Sequence, residues 1–139
     1  VMFKLEINYQ IKVPLKCEAL FKQLGQQTLT LLKIRRLITV SLAFVLPGVI
    51  KKINQRYRQQ NKVTDVLSFE GLNELVICYS KAKSQARERH HSVKREVSIL
   101  FVHGLLHLLG YEDETDQGAK EMERWVHCRV GSSENTRSS

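Results

Sequence analysis

A long apolar segment near the end of the chain restricts the fold more than any other feature of the sequence. Nearly every residue from 97 to 109 is apolar, and the exceptions include two histidines. The segment is predicted to be helical, because Ser92 is a favourable N-cap and Gly110 is a typical helix stop. A helix that is apolar on nearly every side is stable only when other elements cover it. We therefore expect a buried helix with the rest of the chain packed around it.

The rest of the chain carries the pattern of a small sheet. Residues 3–11 alternate apolar and polar side chains, which is typical of a half-buried strand. Residues 38–46 are apolar and β-branched on both faces, as expected of a central strand. Shorter strands are predicted at 66–69 and 75–78, with a turn at Gly71 between them. We expect about four strands in one small mixed sheet.

Helices are predicted between and after these strands. Pro14 and Pro47 mark two helix starts, because proline is favoured at the first helical position. Residues 79–89 are predicted to form a polar helix, and residues 115–128 a last one. Strands early in the chain and helices late predict a single α+β domain, in which helices cover the sheet.

Composition supports a globular protein without a membrane segment. Of the 139 residues, 42% are hydrophobic and 26% are charged, and we assign the domain to residues 1–130 and a disordered tail to residues 131–139. The longest apolar stretch, residues 37–47, is too short to span a bilayer, and the N-terminus lacks a signal-peptide layout. Three cysteines without a CxxC pair favour free thiols in a reducing compartment. We expect a cytoplasmic protein.

The charge is distributed unevenly along the chain. The formal net charge is +8, and residues 1–60 hold 11 Lys and Arg against 2 acidic residues. A basic half of this kind indicates a polyanionic partner, most simply nucleic acid. The alternative is that basic helix faces only keep the protein in solution, and charge alone does not separate the two.

Two histidines in the apolar helix form the first candidate site. His103 and His107 are four residues apart, so they lie on one helical face with about 5–6 Å between their Cβ atoms and can ligate one metal ion. Gly110 lets the chain reverse, which brings nearby acidic residues back towards the pair. Two histidines and a carboxylate are a common ligand set for catalytic zinc, and they also suit Fe(II). The candidate carboxylates are Glu112, Asp113, Glu114 and Asp116.

The residue that follows the first histidine limits the chemistry. It is Gly104, whereas the HExxH signature of metalloproteases has a glutamate there as general base. The absence of this base argues against proteolysis. Two unrelated core histidines, each bonded to backbone or water, are the other interpretation, and the four-residue spacing disfavours it.

A basic cluster in the second predicted helix is the second candidate site. Asn54 and Arg58 are four residues apart and share one helical face. The rigid guanidinium fork of arginine suits phosphate. A solvated basic face is the alternative, and the residues by themselves favour it.

Three motifs follow one another in a fixed order along the chain. They are INQRYR at 53–58, TDVLSF at 64–69 and HGLLHLLGY at 103–111. Together they resemble the YbeY family, and the order of the predicted elements fits that family as well. The resemblance implies a bacterial, metal-dependent, single-strand-specific endoribonuclease that acts in rRNA maturation and ribosome quality control.

The resemblance also implies the identity of the site residues. One Zn²⁺ ion per chain is expected on His103, His107 and, at the position of the family's third histidine, Asp113, whose carboxylate is a competent zinc ligand. Arg58 corresponds to a catalytic or RNA-contacting arginine. The residues expected to bind substrate are Asn54, Asp65 and Ser68.

These assignments give a mechanism and leave two alternatives. A metal-activated water is expected to attack an RNA phosphodiester while Arg58 neutralises charge on the phosphate. Glu74 and Glu112 are candidates for proton transfer on charge alone. The expected partners are single-stranded rRNA and the ribosome or its proteins. The alternatives are an RNA- or ribosome-binding protein with a structural metal and no catalysis, and a metal-dependent hydrolase of another substrate.

Overall fold

Four strands and four α-helices account for most of the described chain. The structure is a computed structural model, and it describes residues 3–111, 120–122 and 124–128. Residues 120–122 and 124–128 are helical as well. In chain order, the elements are β1 (Phe3–Tyr9), α1 (Glu18–Leu31), β2 (Ile38–Val45), α2 (Pro47–Arg58), β3 (Val66–Phe69), a short 3₁₀ helix (Glu70–Leu72), β4 (Glu74–Cys78), α3 (Tyr79–Glu88) and α4 (Val93–Leu108).

The four strands form one mixed sheet in the order β1-β2-β4-β3. β1 pairs parallel with β2, and β2 pairs parallel with β4, so helices make the crossovers that parallel neighbours need. β3 pairs antiparallel with β4, and Val66 lies opposite Ile77. The predicted α+β domain with a small mixed sheet is confirmed, and β3 lies at one edge of that sheet.

Helix α4 lies in the main core, as the apolar run predicts. Ser92 caps it, since its side chain accepts a hydrogen bond from the backbone N–H of Arg95 at 3.0 Å. The Phe101 ring stacks on the Phe21 ring of α1 with their centroids 4.5 Å apart. Leu75 and Ile77 of β4 belong to the same core cluster.

Helix α2 covers the opposite face of the sheet. Val76 and Cys78 alternate with the β4 residues that face α4, and they pack in a smaller cluster with Ile50 of α2. α2 and α4 therefore lie on different faces of the sheet. Both reach its β3 edge, where the site described below is formed.

The first helix begins later than the sequence predicts. α1 starts at Glu18, and Pro14 lies in an irregular segment before it. The fixed φ of proline suits extended chain as well as a first helical turn. The first helical hydrogen bond runs from the N–H of Phe21 to the carbonyl of Cys17 at 2.8 Å. The first strand also ends earlier than predicted, at Tyr9.

Gly25 lies inside α1, where a glycine normally weakens a helix. The helix nevertheless continues through it to Leu31, and the absence of a side chain allows a close approach by Phe3. A Cβ atom at position 25 would lie 2.2 Å from the Phe3 ring. The glycine is therefore required by packing between α1 and β1.

Gly25→Ala and Gly48→Ala are expected to change stability in opposite directions. Gly25→Ala should lower the free energy of unfolding by about 1–3 kcal/mol, the usual cost of overpacking. A Cβ atom on Gly48 of α2 would meet nothing within 4 Å, so Gly48→Ala should raise it by about 0.4–1 kcal/mol. Urea unfolding followed by circular dichroism measures both. A stabilising Gly25→Ala would contradict the packing explanation.

The described residues contain no helix that is both long enough and apolar enough to cross a membrane. The assigned domain boundary at residue 130 stays a prediction. The predicted tail at 131–139 and the start of the predicted last helix lie outside the described residues.

Candidate functional site

An open pocket of about 550 Å³ lies where the β3 edge of the sheet meets α4. Three elements supply its walls: the end of α2, strand β3 with the residues on either side of it, and one side of α4. Its lining residues are Arg58, Asp65, Val66, Leu67, Ser68, Glu70, Leu100, His103 and His107.

The two histidines stand on the open side of α4. His103 is half-buried and His107 is exposed, while the residues between them are buried. One helical turn separates the two, which leaves about 5–6 Å between their Cβ atoms. The helix therefore turns its apolar sides to the core and both imidazoles to the same pocket.

Gly104 sets how closely α4 approaches β3. A Cβ atom there would lie 2.7 Å from Cδ2 of Leu75 and 3.3 Å from Oγ of Ser68. The Ser68 hydroxyl donates a hydrogen bond to the Gly104 carbonyl at 3.1 Å. Position 104 thus faces the sheet and has no room for a glutamate side chain. Packing of α4 against the sheet therefore explains why position 104 does not carry the glutamate of the metalloprotease signature.

Arg58 is the last residue of α2 and reaches across to β3. Its Nη2 donates to the Ser68 carbonyl at 2.5 Å, and its guanidinium carbon lies 5.6 Å from the centroid of the Phe69 ring. This bond uses one of the five N–H donors of the guanidinium. The two contacts hold a permanent positive charge at the border of the histidine pocket, where it can bind an anion.

The Asp65 carboxylate is held in place by two hydrogen bonds. Its Oδ1 accepts from the N–H of Val66 at 2.7 Å, and its Oδ2 accepts from Nε2 of Gln85 at 3.1 Å. Gln85 lies on α3 and does not line the pocket. Asp65 is therefore a pocket residue whose position depends on a second layer of side chains.

That second layer is centred on a fully buried carboxylate, Glu96 of α4. It accepts from Nε2 of Gln85 at 2.9 Å and from Nη1 of Arg89 at 2.8 Å, and it contacts Nε2 of His91 at 2.5 Å. A buried carboxylate is stable only when it is paired in this way. Spacing along the chain does not predict this network, although an acidic residue beside an apolar helical run is a signal for it.

Asn54 is not brought to the pocket. It is only 3% exposed, and its Nδ2 donates to the carbonyl of Lys62 at 3.0 Å. Asn54 and Arg58 share a helical face, but only the longer arginine side chain extends to β3. The amide of Asn54 holds the chain that follows α2, and its expected role in substrate binding stays a prediction.

The structure describes only some of the acidic residues that are candidates for metal binding or proton transfer. Glu74 lines a separate depression on the sheet, together with Glu6 and Ser41, and is not part of the histidine pocket. Asp113, the expected third metal ligand, lies outside the described residues, and so does the proton-transfer candidate Glu112. Glu70, which sequence reasoning did not select, lines the pocket at its border.

The donor set fits a metal ion in part. Two imidazoles in one pocket suit zinc or iron. Over residues 3–111 and the described helical residues beyond them, no group of three His, Cys, Asp or Glu side chains could hold a metal ion. In this pocket the described residues therefore offer two candidate ligands, His103 and His107.

The fold and the pocket together define a class: small α+β proteins with a cationic, histidine-lined cleft at the edge of a mixed sheet. The chain belongs to the endoribonuclease YbeY family, whose model matches residues 5–128. This finding confirms the resemblance seen in the motifs.

Individual relatives agree with the family model. The chain is 40% identical over 104 residues to an endoribonuclease YbeY of Mycoplasmopsis synoviae, covering 66% of this chain and 67% of that one. It is 42% identical over 115 residues to that of Carboxydothermus hydrogenoformans, covering 75% and 80%. For several other curated relatives the match spans between 56% and 60% of their length.

A solved structure shows the same fold. The solution structure of a Thermotoga maritima protein superposes with a TM-score of 0.63 at 27% identity. The match covers 96% of this chain and 94% of that chain. The order of helices and strands around the site is therefore shared over nearly the whole chain.

Proposed function

We propose that this chain is a single-strand-specific, metal-dependent endoribonuclease that acts in rRNA maturation and ribosome quality control. The observation that carries the proposal is that Arg58, His103 and His107 line one open pocket. The relatives that share the family are named endoribonucleases. A cation beside a histidine pair is an arrangement suited to cleavage of a phosphodiester.

Arg58 is the group that binds the scissile phosphate. Its guanidinium is held by the Ser68 carbonyl before substrate arrives, so little ordering is needed when the anion binds. Preorganised donors of this kind stabilise the charge that develops on the phosphate in the transition state. Ser68 and Asp65 form the part of the pocket wall that faces the RNA backbone.

His103 and His107 are the proposed ligands of one zinc ion, with Asp113 as the third. When bound, zinc supplies Lewis acidity towards the phosphodiester and acidifies water at neutral pH. The histidines themselves are positioned by the close packing of α4 on β3 at Gly104. The packing supports a rigid pair whose relative position does not depend on the metal.

The partners follow from charge and family. The basic first half of the chain favours a polyanion, and the proposed substrate is single-stranded rRNA. The ribosome or ribosomal proteins are the proposed assembly on which the enzyme acts, and the cytoplasm is the proposed location. The pocket is open rather than enclosed by the described residues, which suits a polymeric substrate.

Incubation of the purified protein with labelled single-stranded RNA tests the proposal. Wild type is expected to cleave it, and a chelator or His103→Ala is expected to abolish cleavage, with zinc restoring only the chelated wild type. Zinc content should be about one ion per chain in wild type and in Glu112→Gln, and much lower in His103→Ala and Asp113→Asn. Duplex RNA of the same sequence is the substrate control.

Two results would count against the proposal. Cleavage that persists in His103→Ala and in chelator would exclude a role for the metal site. Zinc binding without cleavage of any RNA would favour the RNA-binding protein with a structural metal.

A further inference from the structure

A second depression adjoins the histidine pocket. It measures about 480 Å³ and shares Arg58, Ser68 and Glu70 with the first pocket. The remaining lining residues are Tyr57, Phe69, Gly71 and Leu72. A strand of RNA whose phosphate lies at Arg58 therefore places a neighbouring nucleotide over this second depression.

Its surface is aromatic and open to solvent. Tyr57 is 58% exposed, although it carries a large ring at the end of α2. Phe69 of β3 meets this ring at an interplanar angle of 73°, with the centroids 5.6 Å apart. The contact fixes Tyr57 from one side and leaves more than half of it in water. A rigid and exposed ring of this kind offers a surface on which a base can stack.

Two arginines accompany the two rings. The guanidinium carbon of Arg56 lies 5.6 Å from the Tyr57 ring centroid, and that of Arg58 lies 5.6 Å from the Phe69 ring centroid. Aromatic side chains interleaved with arginines are the elements with which proteins bind single-stranded nucleic acid. An apolar protein segment would find the same rings, but it would have to pack beside two arginines that form no ion pair within the described residues and beside the carboxylate of Glu70. The charge therefore favours a polyanion as the occupant.

We propose that Tyr57, held edge-to-face by Phe69, forms a platform that stacks one unpaired nucleobase of the RNA strand held at Arg58. This inference rests on the proposed endoribonuclease function and deepens it. In a duplex, both faces of a base are covered by its neighbours, so a paired strand cannot use the platform. The platform thus gives a physical origin for a preference for single strands.

Binding to two matched RNA strands tests the platform. The probe is a fluorescently labelled, single-stranded phosphorothioate RNA, which resists hydrolysis, and its partner carries abasic residues on the same backbone. Wild type should bind the base-bearing strand more tightly, and Tyr57→Ala should reduce this preference by about 5- to 150-fold. Tyr57→Phe should keep it, because stacking needs the ring and not the hydroxyl. Fluorescence anisotropy gives the affinities, and circular dichroism checks folding.

Arg56→Ala is the matched control on the same helix. It should weaken binding to both strands equally and reduce the slope of log affinity against log salt by about 0.7. Tyr57→Ala should leave that slope unchanged, since stacking releases no counterions. The platform would be overturned if Tyr57→Ala kept the base preference of wild type, or if Tyr57→Phe lost as much of this preference as Tyr57→Ala.

The cleavage assay separates this proposal from the one on which it rests. If wild type cleaves RNA and Tyr57→Ala keeps the full base preference, the platform fails alone. If wild type cleaves no RNA but shows a base preference that depends on Tyr57, the endoribonuclease proposal fails and the platform stands. A wild type that does not distinguish the two strands overturns the platform whatever its activity.

Discussion

Arg58→Ala is expected to reduce the rate of RNA cleavage by about 10²–10³-fold, the usual effect of losing one preorganised transition-state contact. The side chain is exposed, so thermal unfolding should remain close to that of wild type. Zinc content should also be unchanged, because the arginine is not among the proposed ligands. Single-turnover cleavage at saturating RNA measures the effect on the chemical step.

Two further variants define what the arginine contributes. Arg58→Lys keeps the charge but loses the planar fork that bonds the Ser68 carbonyl, so an intermediate loss is expected. Arg56→Ala, on the same helix, should change the saturated rate much less. Equal losses in Arg56→Ala and Arg58→Ala would instead indicate a diffuse basic face.

Glu96→Ala is expected to lower the free energy of unfolding by about 3 kcal/mol, near the low end for a broken buried ion pair. The variant leaves His91 and Gln85 without their shared acceptor in the interior. Arg89 moderates the loss, since its side chain is 52% exposed and regains hydration.

Glu88→Ala provides the comparison for this second prediction. Glu88 is exposed at the end of α3, so its removal should change stability by no more than about 0.5 kcal/mol. Urea unfolding of both variants gives the difference. If Glu96→Ala costs no more than Glu88→Ala, the buried carboxylate does not organise the network behind Asp65.

Local patterns account for the parts of the fold that the sequence predicts well. Residues close together in the sequence are enough to predict the apolar run of α4, its cap at Ser92 and the helix start at Pro47. The same holds for the short strands β3 and β4, whose bounds differ from the prediction by one residue at most. The start of α1 is different, because Pro14 is compatible with both extended chain and a first helical turn, and tertiary packing selects between them.

The site shows the same division. The four-residue spacing brings His103 and His107 to one pocket, and the motif that contains Arg58 places it there as well. The sequence predicts Asn54 beside them, but its short amide meets a backbone carbonyl first. The roles of Gln85 and Glu96 depend on partners from three separate elements. These hydrogen bonds join residues from different elements, so the periodicity of the sequence does not predict them.

Ser68 touches both halves of the site with its own atoms. Its carbonyl accepts from Arg58 of α2, and its hydroxyl donates to Gly104 of α4. The position of Arg58 relative to the histidine pair is therefore held through one residue of an edge strand, Ser68, and not only by the loops that join the three elements. We therefore expect changes in the length of those loops to leave the position of Arg58 relative to His103 and His107 intact.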